Sequence, residues 1–289
     1  MNNEVKKGYF LTFISAVIFG FTPTIARLTY NLGNNGITMA FFRHLFVIPL
    51  LLLIIKAKGY SLKLTREQFK HICKVGIIGN GLTVIMLYSS YSYIQVGSAT
   101  VLHFMYPMFV CLISSIYFKD KLSKSTIVCL IIATIGITFF IEVGGSMLGI
   151  LLSLGSGIFF AYYVVGVDKL GLKDLNPYVL NFYFAIVIAL SIGIVGMITN
   201  QLILLQPGKV YLYALVVAVL ASIVAIICLQ QGIKRIGGTK ASIVSMFEPV
   251  TSIIFGLLFL NEQLSLFKMI GCILILGSII YMIKATDNK

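Results

Sequence analysis

Tryptophan is absent from this chain of 289 residues, prolines number only 6, and charged side chains make up 11% of it, with 9 of them acidic. Each shortage excludes something. An ordinary soluble domain carries about 25% charged residues. With 59% hydrophobic residues and a mean hydropathy of +1.01, this chain is not one. Little polar sequence lies between the apolar runs, so there is no room for a soluble catalytic domain. No phosphate-cradling G-x-x-x-x-G-K-[ST] loop and no H-E-x-x-H pair of metal ligands occurs, so nothing points to ATP-driven work or metal-assisted hydrolysis. Cys73, Cys111, Cys129, Cys228 and Cys272 form no C-x-x-C and fall inside apolar segments, where they read as small packing residues. No metal ion or cofactor is expected.

What remains is apolar. Ten segments of about 18–24 residues read as membrane spans, at roughly 20 apolar residues per crossing. They lie near 8–29, 37–56, 70–92, 97–117, 125–142, 147–167, 177–199, 210–231, 239–260 and 266–284. The first apolar run has no small-residue cleavage site behind it and is expected to stay in the mature protein. A formal net charge of +13 would suit nucleic acid, but its distribution argues otherwise. With the N-terminus in the cytoplasm, the outer segments hold only Arg27, Lys209 and Lys268. Arg43 lies within a span, and every other Lys and Arg falls on the inner side. That is the positive-inside pattern. It predicts a multi-pass protein of the cytoplasmic (inner) membrane with both termini cytoplasmic, the 118–124 loop inside and the 261–265 loop outside. The expected partners are lipid and a small-molecule substrate, not nucleic acid, and the chain is a monomer or a homodimer.

Two prolines organise the sequence. The stretch 239–265 carries Glu248-Pro249 near its middle, and the stretch 97–123 carries Tyr106-Pro107 at the same place. Asp120 and Glu262 each stand 13 residues beyond their proline, and the two stretches are 142 residues apart. Earlier in each half, Gly8, Leu11, Ser15 and Phe19 are matched by Gly149, Leu152, Ser156 and Phe160 at an offset of 141. The chain is one membrane module written twice, as residues 1–142 and 143–289. The expected fold is an all-α membrane protein with ten transmembrane helices in two five-helix repeats. Five is odd, so the second copy enters the membrane from the opposite side. Inverted repeats of this kind are a secondary-transporter plan with substrate at the repeat interface.

The candidate site residues follow from the duplication. Proline removes the backbone donor that would reach the carbonyl four residues earlier, which is that of His103 for Pro107 and of Ser245 for Pro249. Lipid cannot satisfy such carbonyls, so they are expected to face a cavity or protein. Substrate is predicted to sit between the two broken helices, against His103, Tyr106, Ser245 and Glu248. Asn80, Tyr88 and Gln230 are expected on the same wall, because helices three and eight immediately precede the broken pair through short connections; at the 142 offset Asn80 aligns with Ser222 and Tyr88 with Gln230. Pro23, within Thr22-Pro23-Thr24, is a third candidate helix break, either a packing kink or a substrate contact. Arg43 is deep enough in its span to face a cavity, act in gating or pair with an acid. Glu248 is the one acid placed deep in a span, and so the candidate proton carrier; alternatively it caps exposed backbone donors or pairs with Arg43. Tyr88, Tyr91, Tyr106, Tyr162, Tyr163, Phe182 and Tyr183 are available for a partly aromatic cavity. Thr65 with Gln68, Ser123, Asn176 before Pro177, and Ser265 have the spacing of helix N-caps.

Together these residues resemble a known family. Ser242 to Ser245 followed by Phe247-Glu248-Pro249, then Gly256 and Asn261-Glu262-Gln263-Leu264, resemble the EamA-type modules of the drug/metabolite transporter superfamily. Ala99, Pro107, Asp120 and Leu122 echo them in the first half, and Arg43 fits the family's second-span arginine. The resemblance covers essentially the whole chain. Tyr106 departs from it, standing where the first module often has an acid. The resemblance implies a central cavity and transport of a small organic compound, most often outward, with amino acids the favoured class. Uptake of a metabolite or organic cation is the alternative among carriers. A channel or sensor is a further class, as is a membrane-embedded enzyme built on His44, His103 and Glu248, although no catalytic motif supports an enzyme.

Overall fold

The computed structural model describes residues 2–30, 32–90, 93–94, 96–139, 146–260 and 265–287, and the regular structure among them is entirely helical. We number ten helices. They are α1 (Asn3–Tyr30), α2 (Gly36–Ala57), α3 (Arg66–Ser90), α4 (Val96–His103 and Tyr106–Tyr117) and α5 (Lys124–Thr138), then α6 (Met147–Lys169), α7 (Pro177–Ile198), α8 (Gly208–Ile236), α9 (Gly238–Ser245 and Glu248–Leu260) and α10 (Leu266–Asp287). Among the described residues nine are long and apolar enough to cross a bilayer, and α5 is shorter.

Local chemistry sets several of the starts. Thr65 and Gln68 close a reciprocal capping box at α3. Ser123 accepts from the Thr126 amide at α5, and Asn176 accepts from the amides of Tyr178 and Val179 at α7. The Ser265 hydroxyl accepts from the Lys268 amide at 3.3 Å. Each cap satisfies a donor that the first helical turn leaves orphaned.

The duplication is visible in the backbone. α4 is interrupted at Phe104-Met105 and α9 at Met246-Phe247, 142 residues on in each case, and each interruption lies just before its proline. α3 and α8 each contain a π-helical stretch, Val75–Gly81 and Leu220–Ala225. Such bulges often occur at functional sites. Pro23 is different: residues 22–24 do not break α1, which is continuous from Asn3 to Tyr30. The Thr22 hydroxyl donates to the Ile18 carbonyl at 3.0 Å, holding the turn that the proline would loosen. Asn261 to Leu264, with Glu262, lie outside the described residues, as does Tyr91.

Packing follows the same symmetry. α1 packs against α8 and α9, and its counterpart α6 packs against α3 and α4. α2 meets α7 and α8, while α7 meets α2 and α3. α4 meets α9 directly, and α5 pairs with α10. Exchanging the halves leaves these contacts unchanged. The halves are interleaved, since α1 and α6 each bury themselves in the other repeat.

Small residues make the two broken helices fit. Ala16 and Gly20 on α1, and Gly157 and Ala161 on α6, are equivalent at the 141 offset and have the small-xxx-small spacing that lets helices approach closely in a membrane. A methyl at Gly157 would lie 2.9 Å from the His103 carbonyl oxygen, and one at Gly20 would lie 2.6 Å from that of Glu248. The Thr251 hydroxyl bridges the second contact, donating to the carbonyls of Ala16 at 3.3 Å and Glu248 at 2.9 Å. Away from this seam, Ile127, Ile131 and Ile135 on α5 and Ile273, Leu276 and Ile280 on α10 are exposed in helical rows, as lipid-facing positions would be.

Candidate functional site

A cavity of about 170 Å³ opens at the seam between the repeats. α1, α2, α3 and α4 line it from the first half, and α6, α7, α8 and α9 from the second. Its polar wall includes Thr22, Arg43, His44, Asn80, Thr83, Tyr88, His103, Asn181, Ser222, Glu248 and Ser252. The breaks explain two of these. His103 is the last residue of the first half of α4, and Glu248 is the first residue of the second half of α9. Glu248 thus occupies a helix N-terminus, where the partial positive charge of the free amides favours a carboxylate.

Of the residues predicted from sequence to form the site, Asn80, Tyr88, His103, Glu248 and Arg43 lie on the cavity wall. Tyr106, Gln230 and Ser245 do not; they are buried in the layer behind it. Tyr106 and Glu248 are repeat equivalents and near neighbours. The Tyr106 hydroxyl lies beside Ser245 and within range of the Glu248 charge. Among the described residues neither the Tyr106 nor the Ser245 hydroxyl makes a hydrogen bond of ordinary geometry. Gln230 donates from Nε2 to the Tyr163 hydroxyl at 3.1 Å. Pro107 and Pro249 are likewise buried, as fixtures of the breaks and not wall groups.

The charged groups on the wall are unpaired. Arg43 Nε is buried without a hydrogen-bond partner, and no ion pair or hydrogen bond reaches its guanidinium or the Glu248 carboxylate among the described residues. The neutral polar groups are held more firmly. Ser156 lies 3.0 Å from His103 Nδ1 and donates to the Ser153 carbonyl at 2.6 Å. The His44 ring contacts the Ala40 carbonyl at 2.7 Å. Thr83 donates to the Gly79 carbonyl at 2.8 Å, in the π-helical stretch of α3, and to that of Ser156 at 3.2 Å. Asn181 donates to the Ser222 carbonyl in the equivalent stretch of α8.

The aromatic wall is built differently from expectation. Phe160 stands 5.4 Å from His103 and 5.6 Å from Tyr163, and Tyr163 stands 5.4 Å from Phe184, a ladder completed by Phe19, Tyr30, Tyr88 and Phe104. Tyr183 faces elsewhere, because its hydroxyl donates to the Leu62 carbonyl at 2.9 Å, and Phe182 packs against α2. Ser156, Asn181, Phe160 and Phe184 were missed from sequence. Ser156 and Phe160 had a signal, being the repeat equivalents of Ser15 and Phe19.

The two ends of the cavity differ. It extends toward Tyr30 and Tyr88, where α1 and α3 finish. At the opposite end polar bonds join the helices. Arg235 meets Glu4 at 3.0 Å, His71 Nδ1 meets the Leu170 carbonyl at 3.2 Å, and Lys169 meets Asp120 at 2.7 Å. Asp168 holds Lys173 at 2.8 Å and accepts from the Gly238 amide at 3.2 Å, tying α6 to the start of α9.

Comparison with known proteins agrees with this architecture. The pattern of the EamA-like transporter family matches residues 6–141 and again 147–284. A Clostridium kluyveri protein named an uncharacterized transporter is 24% identical over 311 aligned residues, covering 99% of this chain and 97% of the relative. The Bacillus subtilis (strain 168) uncharacterized transporter YcbK is 25% identical over 304, covering 99% and 94%. One solved crystal structure superposes with a TM-score of 0.80 at 16% identity, over 96% of each chain, which shows a shared fold. With the two repeats matched along nearly its whole length, the chain belongs to the EamA-like transporter family.

Proposed function

We propose that this protein is a secondary transporter that carries a small organic metabolite across the cytoplasmic membrane by alternating access. An amino acid or related compound is the favoured substrate, and export the favoured direction. The observation that carries the reading is a seam cavity that is lined from both repeats and extends toward one end of the bundle, while polar bonds join the helices at the other. A channel would need a path through both ends, and a membrane enzyme would need convergent reacting groups. His44 lies 2.7 Å from a backbone carbonyl and His103 lies 3.0 Å from Ser156 Oγ, so neither is poised against Glu248 as an acid–base pair.

In the accompanying topology both termini and the 118–124 loop are cytoplasmic, the 261–265 loop is external, and the repeats are inverted. The lysine asymmetry and the odd number of helices per repeat support it. The tied end is then cytoplasmic, and the cavity reaches outward. Glu248 is the group through which proton movement would couple to substrate, and the chain is read as working as a monomer or homodimer.

Counterflow in proteoliposomes tests the reading. Vesicles preloaded with an unlabelled amino acid should accumulate the labelled form transiently above equilibrium for at least one member of the set. A labelled solute that only equilibrates, at a rate without saturation, would exclude a carrier.

A further inference from the structure

We propose that the loop between α2 and α3, with the first turns of α3, is a docking surface for the headgroup phosphates of anionic phospholipids. The transport reading above enters only in naming the leaflet, the cytoplasmic one; the surface itself stands on its charge and its geometry.

Lys56, Lys58, Lys63, Arg66, Lys70 and Lys74 are all exposed, at the end of α2, along the loop and on the start of α3. Glu67 is the one acid in that stretch, and it meets Lys70 at 3.3 Å. Among the described residues the other five cations make no ion pair. The loop that carries them is held in place. The Tyr60 amide donates to the Ile55 carbonyl at 3.0 Å, and the Tyr60 ring stacks on Tyr178 of α7 at 5.8 Å. The Tyr183 hydroxyl, also from α7, takes the Leu62 carbonyl at 2.9 Å. Leu62 and Leu64 pack inward against the cluster around Val47 and Leu51, which leaves Lys63 between them exposed. Exposed Tyr60 and Phe69 stand among the cations, and aromatic rings at a membrane boundary settle at headgroup level. A group of four to eight basic residues at the end of a transmembrane helix attracts anionic lipid.

The second repeat shows that the fold does not require these cations. At the 142 offset residues 59–66 correspond to 201–208, so that α3 begins at Arg66 and α8 at Gly208. In both loops a tyrosine hydroxyl donates to the equivalent carbonyl, Tyr183 to Leu62 and Tyr211 to Leu204, the latter at 2.6 Å. Yet residues 201–208 carry no charge, and the counterpart of Lys63 is Leu205, which is 92% exposed. The same strap is built with leucine at one end of the bundle and with lysine at the other. Its outward side chains therefore answer to what lies outside the protein, and for the basic loop that is a layer of negative charge.

Because the chain has no tryptophan, one introduced indole reports its own surroundings. Full-length Tyr60→Trp is reconstituted in mixed bilayers of phosphatidylcholine and phosphatidylglycerol, with brominated chains on one lipid or the other, and quenching gives the relative affinity at that place. We expect phosphatidylglycerol to be preferred at least about fivefold, the contribution of roughly one basic side chain near an anionic surface. Adding Lys58→Gln, Lys63→Gln and Arg66→Gln together should bring the preference to within about twofold, as should high salt, which screens exposed charge. Lys119→Gln with Lys124→Gln, on another basic loop, should leave it intact, and Leu205→Trp on the equivalent strap should report none. If the triple variant does not fold, the salt titration of Tyr60→Trp decides. Equal quenching by the two lipids at Tyr60→Trp, a preference that survives loss of the three cations, or the same preference at Leu205→Trp overturns the proposal. So does displacement by inorganic phosphate at constant ionic strength, which would mark a site for a soluble anion. Lipid preference without counterflow would keep this surface and remove the transport reading; counterflow without lipid preference would do the opposite.

Discussion

Asp168 offers the sharpest test of the closed end. Its side chain is only 9% exposed, yet it serves Lys173 at 2.8 Å, the Gly238 amide at 3.2 Å and, more loosely, Lys169 at 4.0 Å. Lys169 and Lys173 are 26% and 33% exposed, so water can take over much of their solvation, and Lys169 keeps Asp120. Their share is therefore nearer that of a screened surface pair, about 1 kcal/mol. The Gly238 amide is buried and would lose its acceptor in Asp168→Ala, a further 1–2 kcal/mol or so. Asp168→Asn keeps an acceptor for that amide and should lose only about 1 kcal/mol. If these bonds exist only when the tied end is closed, opening there should rise roughly fivefold in the Asn variant and some tens-fold in the Ala variant. A reporter cysteine at Ser245, which is fully buried behind the cavity, reads this directly in a cysteine-free background. With the tied end cytoplasmic, as proposed, its rate of labelling by an impermeant maleimide in inside-out vesicles should rise in that order. A rate unchanged in a folded Asp168→Ala protein would refute the latch, because the bonds would then be kept in both states.

Two further outcomes follow from the geometry. Gly20→Ala forces a methyl against Thr251 and the Glu248 carbonyl and should destabilise by about 1–3 kcal/mol, as overpacking does. Gly277→Ala, where a methyl meets nothing within 4 Å, should be neutral or slightly stabilising; equal melting temperatures for the two variants would contradict the packing account. If Glu248 carries the coupled proton, as proposed, Glu248→Gln should lose the pH dependence that wild-type transport shows. Persistence of the same pH dependence in Glu248→Gln would move the titrating role to His44 or His103, which share that wall with Arg43, Tyr30, Tyr88 and Tyr163.

The duplication was readable because it is written in backbone chemistry. Proline at 107 and 249 constrains the chain regardless of what surrounds it, so the 142 offset located both interruptions. Caps such as Asn176 and Ser123 are equally local. Side-chain direction is another matter. In a soluble helix the buried face is the apolar one, but a membrane helix is apolar all round, and lipid and protein interior look alike to it. Nothing in the residues themselves therefore told Tyr106, Gln230 and Ser245, which turn into the layer behind the cavity, from His103 and Glu248, which face it. Pro23 fails for a related reason: the threonine just before it can bond back to the preceding turn, and only the three-dimensional path shows that α1 runs on. The Ala16–Gly20 and Gly157–Ala161 seats were legible in principle, through the same register that matched Ser15 with Ser156.

The interleaving of the halves sets a timetable for biogenesis. α1 completes its burial only against α8 and α9, so its buried hydroxyls at Thr12 and Ser15 must wait for residues 208–260 to be made. At ribosomal speeds of about 5–20 residues per second, that interval is roughly 10–40 s. Throughout it α1 stands in the bilayer without its partners, its small-residue face open to any helix that passes. The nascent first half is therefore the stage at which mispairing, quality-control proteases and insertase chaperones have their longest opportunity to act.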